Sequence, residues 1–152
     1  MKLDDTEKRI LRLLQTDNNI TNLALAEAVG LSAPACLKRV KALRAKGIIE
    51  QDVSILNPKL SGIGITIIVE VEMERDRVDL NQVFAKRIAN STEVTQCYQV
   101  TGEVDFVLIV NVADMNAFQM FAEKVLYAEP NMRKFRTLIS MRRNKFSTQI
   151  PL

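Results

Sequence analysis

Thr21–Lys46, TNLALAEAVGLSAPACLKRVKALRAK, decides the reading of this chain, because it encodes two helices around a tight turn. Thr21 is placed to N-cap a short helix whose Leu25, Ala28 and Val29 share one face. Gly30 follows at the point where a left-handed residue ends a helix, a conformation cheapest without a Cβ. Leu31 is a core plug and Ser32 a second N-cap. Pro34 falls in the first turn of the next helix, where its missing N–H is harmless. From there Cys36, Leu37, Val40 and Leu43 recur at helical spacing. At about 100° per residue, Lys38, Arg39 and Lys46 lie opposite that stripe, with Lys41 and Arg44 beside it. Five Lys/Arg and no Asp or Glu occur between Ser32 and Gly47. A merely solvated helix usually mixes signs, whereas a one-signed face suits phosphate. The stretch therefore reads as a helix-turn-helix whose second helix meets DNA, with a plain solvated face as the weaker alternative.

Upstream, Leu3–Gln15 opens with Asp4 and Glu7 in a loose capping box, and Ile10, Leu11 and Leu14 make an apolar face. Asp4 and Asp5 are acids of a first helical turn rather than a catalytic pair. Asp17-Asn18-Asn19 is turn chemistry. Three helices thus precede Gly47. Gly47–Leu56 looks extended, as a wing or a linker strand. Asn57-Pro58 breaks it, and Ser61–Gly64 reads as a flexible junction.

The rest alternates regularly. Ile65–Glu74 is a strand with Val69, Val71 and Met73 on one face and Glu70, Glu72 and Glu74 on the other. Val78–Ala89 is helical, with Leu80, Val83, Phe84 and Ile88 inward. Val94–Val100 and Val104–Val112 are strands joined through Thr101-Gly102-Glu103. Asp114 caps a helix with Phe118, Phe121, Ala122 and Val125 inward, and Phe135–Met141 is a last strand. This βαββαβ order is ferredoxin-like, one antiparallel sheet with two helices on one face. Thr66, Gln96, Gln99 and Thr137 give the other face a mixed character, which calls for cover by another subunit. The class is α+β: residues 1–50 a three-helix, winged-helix-like unit, 51–62 a linker strand or hinge, 63–147 the ferredoxin-like domain and 148–152 a tail.

Composition narrows the function. Apolar residues make up 47% of 152 residues, enough for a core, and the net charge is +3. Residues 1–60 hold ten Lys/Arg against seven Asp/Glu, and residues 61–152 hold eleven of each, so the excess sits with the helix-turn-helix. Neither a signal peptide nor an apolar run near the roughly 20 residues of a membrane span is evident, which points to the cytoplasm. Cys36 and Cys97 fall in separate domains and read as buried thiols. With no histidine, His-based metal sites and Ser-His or Cys-His nucleophile systems are excluded. Glu103 and Asp105 could be an acid/base pair, but no nucleophile, metal set or phosphate loop accompanies them. An enzyme is not expected, nor a cofactor.

The chain closely resembles the Lrp/AsnC family, the leucine-responsive or feast/famine regulators. Three stretches carry the likeness: Leu3-Asp4-Asp5-Thr6 through Leu14; Ala26–Ser32 with Cys36-Leu37-Lys38-Arg39-Val40 and Leu43; and Val100-Thr101-Gly102-Glu103-Val104-Asp105-Phe106. The resemblance implies a dimer through the ferredoxin-like (RAM) domain, assembled into octamers as a tetramer of dimers. It also implies an amino-acid effector held between RAM domains. Carried over by residue, Asn22, Ser32, Ala33, Pro34, Lys38, Arg39 and Lys41 would face DNA. Val100, Thr101, Gly102, Glu103 and Asp105 would form the effector turn, with Met115, Leu138, Ile139 and Ser140 as wall. N–H groups around Gly102 could hold a carboxylate and Asp105 an ammonium, though Asp105 could equally just cap the turn. The uncharged walls favour a small apolar amino acid such as leucine or methionine. The alternative is an effector-independent architectural protein that wraps DNA.

Overall fold

The computed structural model describes residues 3–152, which form two compact units, one running to Ile55 and including Lys145–Leu152, the other Leu56–Asn144. The division differs from the expected boundaries at the tail. Residues from Lys145 onward return to the first unit rather than trailing from the second.

The first unit contains α1 (Asp5–Thr16), α2 (Asn22–Val29) and α3 (Ala33–Ala45). Each start is fixed by a local cap. The Asp4 carboxylate accepts from Glu7 N at 2.7 Å while Glu7 accepts from Asp4 N at 2.9 Å, a full capping box. Thr21 accepts from Ala24 N, and Ser32 from Ala35 N. Gly30 ends α2 at φ 74°, in the left-handed region. Ile10, Leu11, Leu25, Ala26, Val29, Cys36, Val40 and Leu43 are buried together. Leu37, expected in the same stripe, is 40% exposed. It lies one residue past Cys36, so about 100° of rotation carries it toward solvent.

Beyond α3, Arg44 donates to the Asp52 carboxylate through Nε and Nη2, at 3.2 and 2.9 Å. The linker expected as a strand or wing carries no ladder between Gly47 and Asn57, and Val53 and Ile55 are exposed. A strand needs a partner for its N–H and C=O groups, and here the single chain supplies none.

The second unit runs from a 3₁₀ turn (Pro58–Leu60) through β1 (Ile65–Met73), α4 (Val78–Ala89), β2 (Val94–Gln99), β3 (Phe106–Val112), α5 (Met115–Phe121) and β4 (Met132–Ile139). Residues Ala122–Leu126 extend α5 as a π-helical turn. The sheet order is β2-β3-β1-β4 with every pair antiparallel, the ferredoxin-like arrangement. Ile67, Val69, Val71 and Met73 of β1 and Phe106, Leu108, Val110 and Val112 of β3 face the helices. They pack on Phe84, Ile88, Phe118, Phe121, Val125 and Leu126. Phe84 and Phe106 meet edge to face at 4.9 Å. Val83, expected inward, is exposed, and Asn81 occupies the inner face instead, its Nδ2 donating to Asp76 Oδ1 at 2.9 Å.

The register corrects the reading of the open face. Gln96 sits opposite Ile109, and Thr66 opposite Asn111, so both lie on the open face. Gln99 opposes Phe106 and Thr137 opposes Val69, which puts both on the helix side at the sheet edges. Cys97 also corrects an expectation. It is exposed, on an edge strand with one neighbour, whereas Cys36 is buried. The Ser61–Gly64 junction is not slack at its end either. Gly64 N donates to Val112 O at 3.1 Å, one step ahead of the first β1–β3 pair.

Candidate nucleic-acid interface and ligand site

The outer side of α3 separates its cations into two kinds. Arg39 Nη1 lies 2.6 Å from Asp4 Oδ2, tying α3 to the cap of α1. That hydrogen bond from the guanidinium, with Glu7 N behind it, holds the Asp4 carboxyl below its usual range. Arg44 is engaged by Asp52. Lys38 and Lys41 are exposed and have no acidic partner among the described residues. They are the cations left for an external polyanion. Asn22 plays an internal part: its Nδ2 donates to Ala33 O at 2.8 Å and fastens the start of α2 to the start of α3. The Ser32 hydroxyl is spent on its cap, Ala33 is half-buried, and Pro34 is exposed at the N-terminal end of the helix.

In the second unit, residues 100–105 join β2 to β3. Val100 N donates to Asp105 O at 2.9 Å and closes the turn, and Gly102 takes φ 123°. Asp105 is a structural clamp. Its N–H donates to Val71 O at 2.8 Å, and its Oδ2 accepts from Met73 N at 2.6 Å. Oδ1 is left for other work. Thr101, Gly102 and Glu103 are exposed, and their N–H groups have no acceptor among the described residues.

Beside this turn lies a cleft of about 410 Å³ lined by Glu70, Glu72, Glu103, Val104, Lys134, Phe135 and Arg136. Arg136 pairs with Glu70, and Glu72 receives Arg133 at 2.7 Å and Lys134 at 2.9 Å. The Lys134 hydrogen bond, backed by Arg133, keeps the Glu72 carboxyl below its usual range. Six of these lining residues were missed from sequence, Val104 and Phe135 and the charged Glu70, Glu72, Lys134 and Arg136. The signal of the charged four was present as alternate acids on β1 and alternate cations on β4, but only the register sets them opposite each other.

The expected wall residues lie elsewhere. Ile139 pairs with Ile67, Leu138 with Ile68, and Ser140 N donates to Thr66 O at 2.9 Å. Met115 opens α5, just past the Val112–Ile65 pair. The turn sits beyond the Phe106–Val71 pair at the other end of the sheet. At about 3.3 Å per residue, the two sets are roughly 20 Å apart. Within one chain the structure does not bring them together.

A family model described as "Lrp/AsnC ligand binding domain" matches residues 66–150, and one described as "Winged helix-turn-helix DNA-binding" matches residues 3–50. An uncharacterised HTH-type transcriptional regulator of Sinorhizobium fredii is 40% identical over 152 residues, covering 100% of this chain and 90% of that protein. The leucine-responsive regulatory protein of Escherichia coli is 31% identical, covering 97% of this chain and 90% of its own length. A transcriptional regulator of Neisseria meningitidis, solved as an L-methionine complex, superposes with a TM-score of 0.90 at 32% identity, covering 99% and 97% of the two chains.

Proposed function

We propose, from the premise that this chain belongs to the Lrp/AsnC family of DNA-binding transcriptional regulators, that it is a cytoplasmic homo-oligomer whose DNA binding responds to a small apolar amino acid such as leucine or methionine. The observation that carries the effector reading is the turn at Thr101–Glu103, whose N–H groups have no acceptor among the described residues and suit a carboxylate. Its likeness to the L-methionine complex supports the same class of ligand. The ammonium would meet Asp105 Oδ1 or Glu103, which has no cationic partner among the described residues. Met115, Leu138, Ile139 and Ser140 would come from a second copy, because one chain holds them at the far end of the sheet. A second copy would also cover the open sheet face and the exposed Val53 and Ile55.

On the DNA side, Pro34 and Ala33 would approach base edges at the N-terminal end of α3, with Lys38 and Lys41 on phosphates. Ser32 and Asn22 would shape that end, and Arg39 would act mainly as scaffold through Asp4. Lys38→Ala is expected to reduce the slope of log affinity against log salt by about one and to weaken all duplexes alike. An unaltered slope would remove Lys38 from the phosphate contacts.

A thermal-shift screen against the twenty amino acids tests the sensor. Ligand at about 100 Kd adds roughly 2.7 kcal/mol to the native state. An apolar amino acid should raise the melting temperature, and Gly102→Val should abolish that rise while leaving DNA binding in place. Silence with all twenty favours the effector-independent architectural reading.

A further inference from the structure

The segment Lys145–Leu152 belongs to the same compact unit as α1, although it follows the whole ligand-binding unit in sequence. It hydrogen-bonds to two residues of that helix, Arg12 and Gln15. Gln15 reads residue 150 from both sides: its Oε1 accepts from Ile150 N at 2.6 Å and its Nε2 donates to Ile150 O at 3.0 Å. Gln149 Nε2 donates to Gln15 O at 3.2 Å. Arg12 donates to the backbone oxygen of Leu152 through Nε, at 3.0 Å, and through Nη2. Arg12 and Gln15 are three residues apart and therefore neighbours on the helix surface.

This placement fits what α1 lacks. Gln15 is among the last four residues, whose carbonyls have no partner within the helix, and no basic residue occupies the last turn. An extended peptide supplies a donor to that end. Ile150 is 68% exposed, so its hydrogen bonds to Gln15 rather than burial of its side chain hold it there.

We infer that the last turn of α1 is a docking site for an extended peptide, occupied by the chain's own Ser147–Leu152. The occupied site forms a second tether on the DNA-binding unit. The first tether is the linker around Ile55–Leu56, and the second runs from the end of β4 through Ser140–Asn144. A unit held at two points explores fewer orientations than one held at a single flexible linker, so DNA finds it better ordered.

Hydrogen exchange on the full-length protein reads the docking directly. The Ile150 amide should exchange at least about tenfold more slowly than in a free peptide, and Gln15→Ala, which changes no charge, should release it. Free-peptide exchange in the unaltered protein overturns the site. A six-residue Gly-Ser insertion between Asn144 and Lys145 then gives roughly 20 Å of slack while leaving every docking contact in place. Gln15→Ala and the insertion should each weaken binding to a random-sequence duplex of about 40 base pairs by about fivefold. Weakening by Gln15→Ala alone, or unchanged or tighter binding in both, overturns the tether. No amino acid is added, so failure of the sensor reading leaves this test unaffected.

Discussion

Gly64→Ala should destabilise the ligand-binding unit by about 3 kcal/mol, the upper part of the range for overpacking. A Cβ at this position would lie 2.0 Å from the carbonyl oxygen of Ala113 and 3.1 Å from its carbon. Both atoms are backbone, so no side chain can rotate away. Relief requires moving β1 from β3 where their ladder begins, and these are the two central strands. For a unit of this size the melting temperature should fall by roughly 12 °C or more. The control is Gly102→Ala, which meets open space and carries only the strain of its positive φ. Tyr98 and Tyr127 both lie in this unit and the chain has no tryptophan, so tyrosine emission follows its unfolding selectively. A fall of only a degree or two would show that the strands separate easily there.

The second large effect separates Leu43 from Leu37. Leu43 is fully buried among Ile10, Leu25 and Val40, and its truncation should cost about 3 kcal/mol through lost transfer energy and a residual cavity. A unit of 63 residues buries a small core, so this is a large share of its stability. Leu43→Ala should therefore abolish DNA binding at 37 °C while leaving tyrosine-monitored unfolding unchanged. Leu37→Ala should change stability by about 0.5 kcal/mol or less, because its side chain already meets solvent. Helical circular dichroism in urea, with both variants side by side, measures the difference. Equal losses would place Leu37 in the core after all.

Local chemistry was readable in the sequence, and long-range pairing much less so. Asp4, Thr21, Ser32 and Gly30 announce helix ends because a cap is decided within three or four residues. Val78–Ala89 was legible to its ends although no side chain caps its start and its apolar period misplaced Val83. The start of β4 at Met132 was missed: Met132-Arg133-Lys134 is charged, and strand character there comes from pairing with Met73 and Glu72. Gln99 and Thr137 were put on the wrong face: Gln99 lies three residues past Gln96 and so faces the other way, and Thr137 shows its side only through its pairing with Val69. Gly64 read as slack because sequence marks a glycine without telling freedom from close approach. The turn at Thr101–Glu103 was legible, since a glycine between two strands is a local signal. Its charged lining and its distance from Met115 and Leu138–Ser140 are properties of the register.

The interleaved order of the two units has a consequence for synthesis. The helices of the DNA-binding unit leave the ribosome before the sheet, but the residues that dock on α1 leave only after the whole of Leu56–Asn144. Domains fold as they emerge, so the sheet can form before the segment that secures the DNA-binding unit exists. A nascent chain broken off within the sheet carries three capped helices and both free lysines of α3, yet lacks Lys145–Leu152. The residue order thus makes completion of the DNA-binding unit wait on synthesis of the whole of Leu56–Asn144.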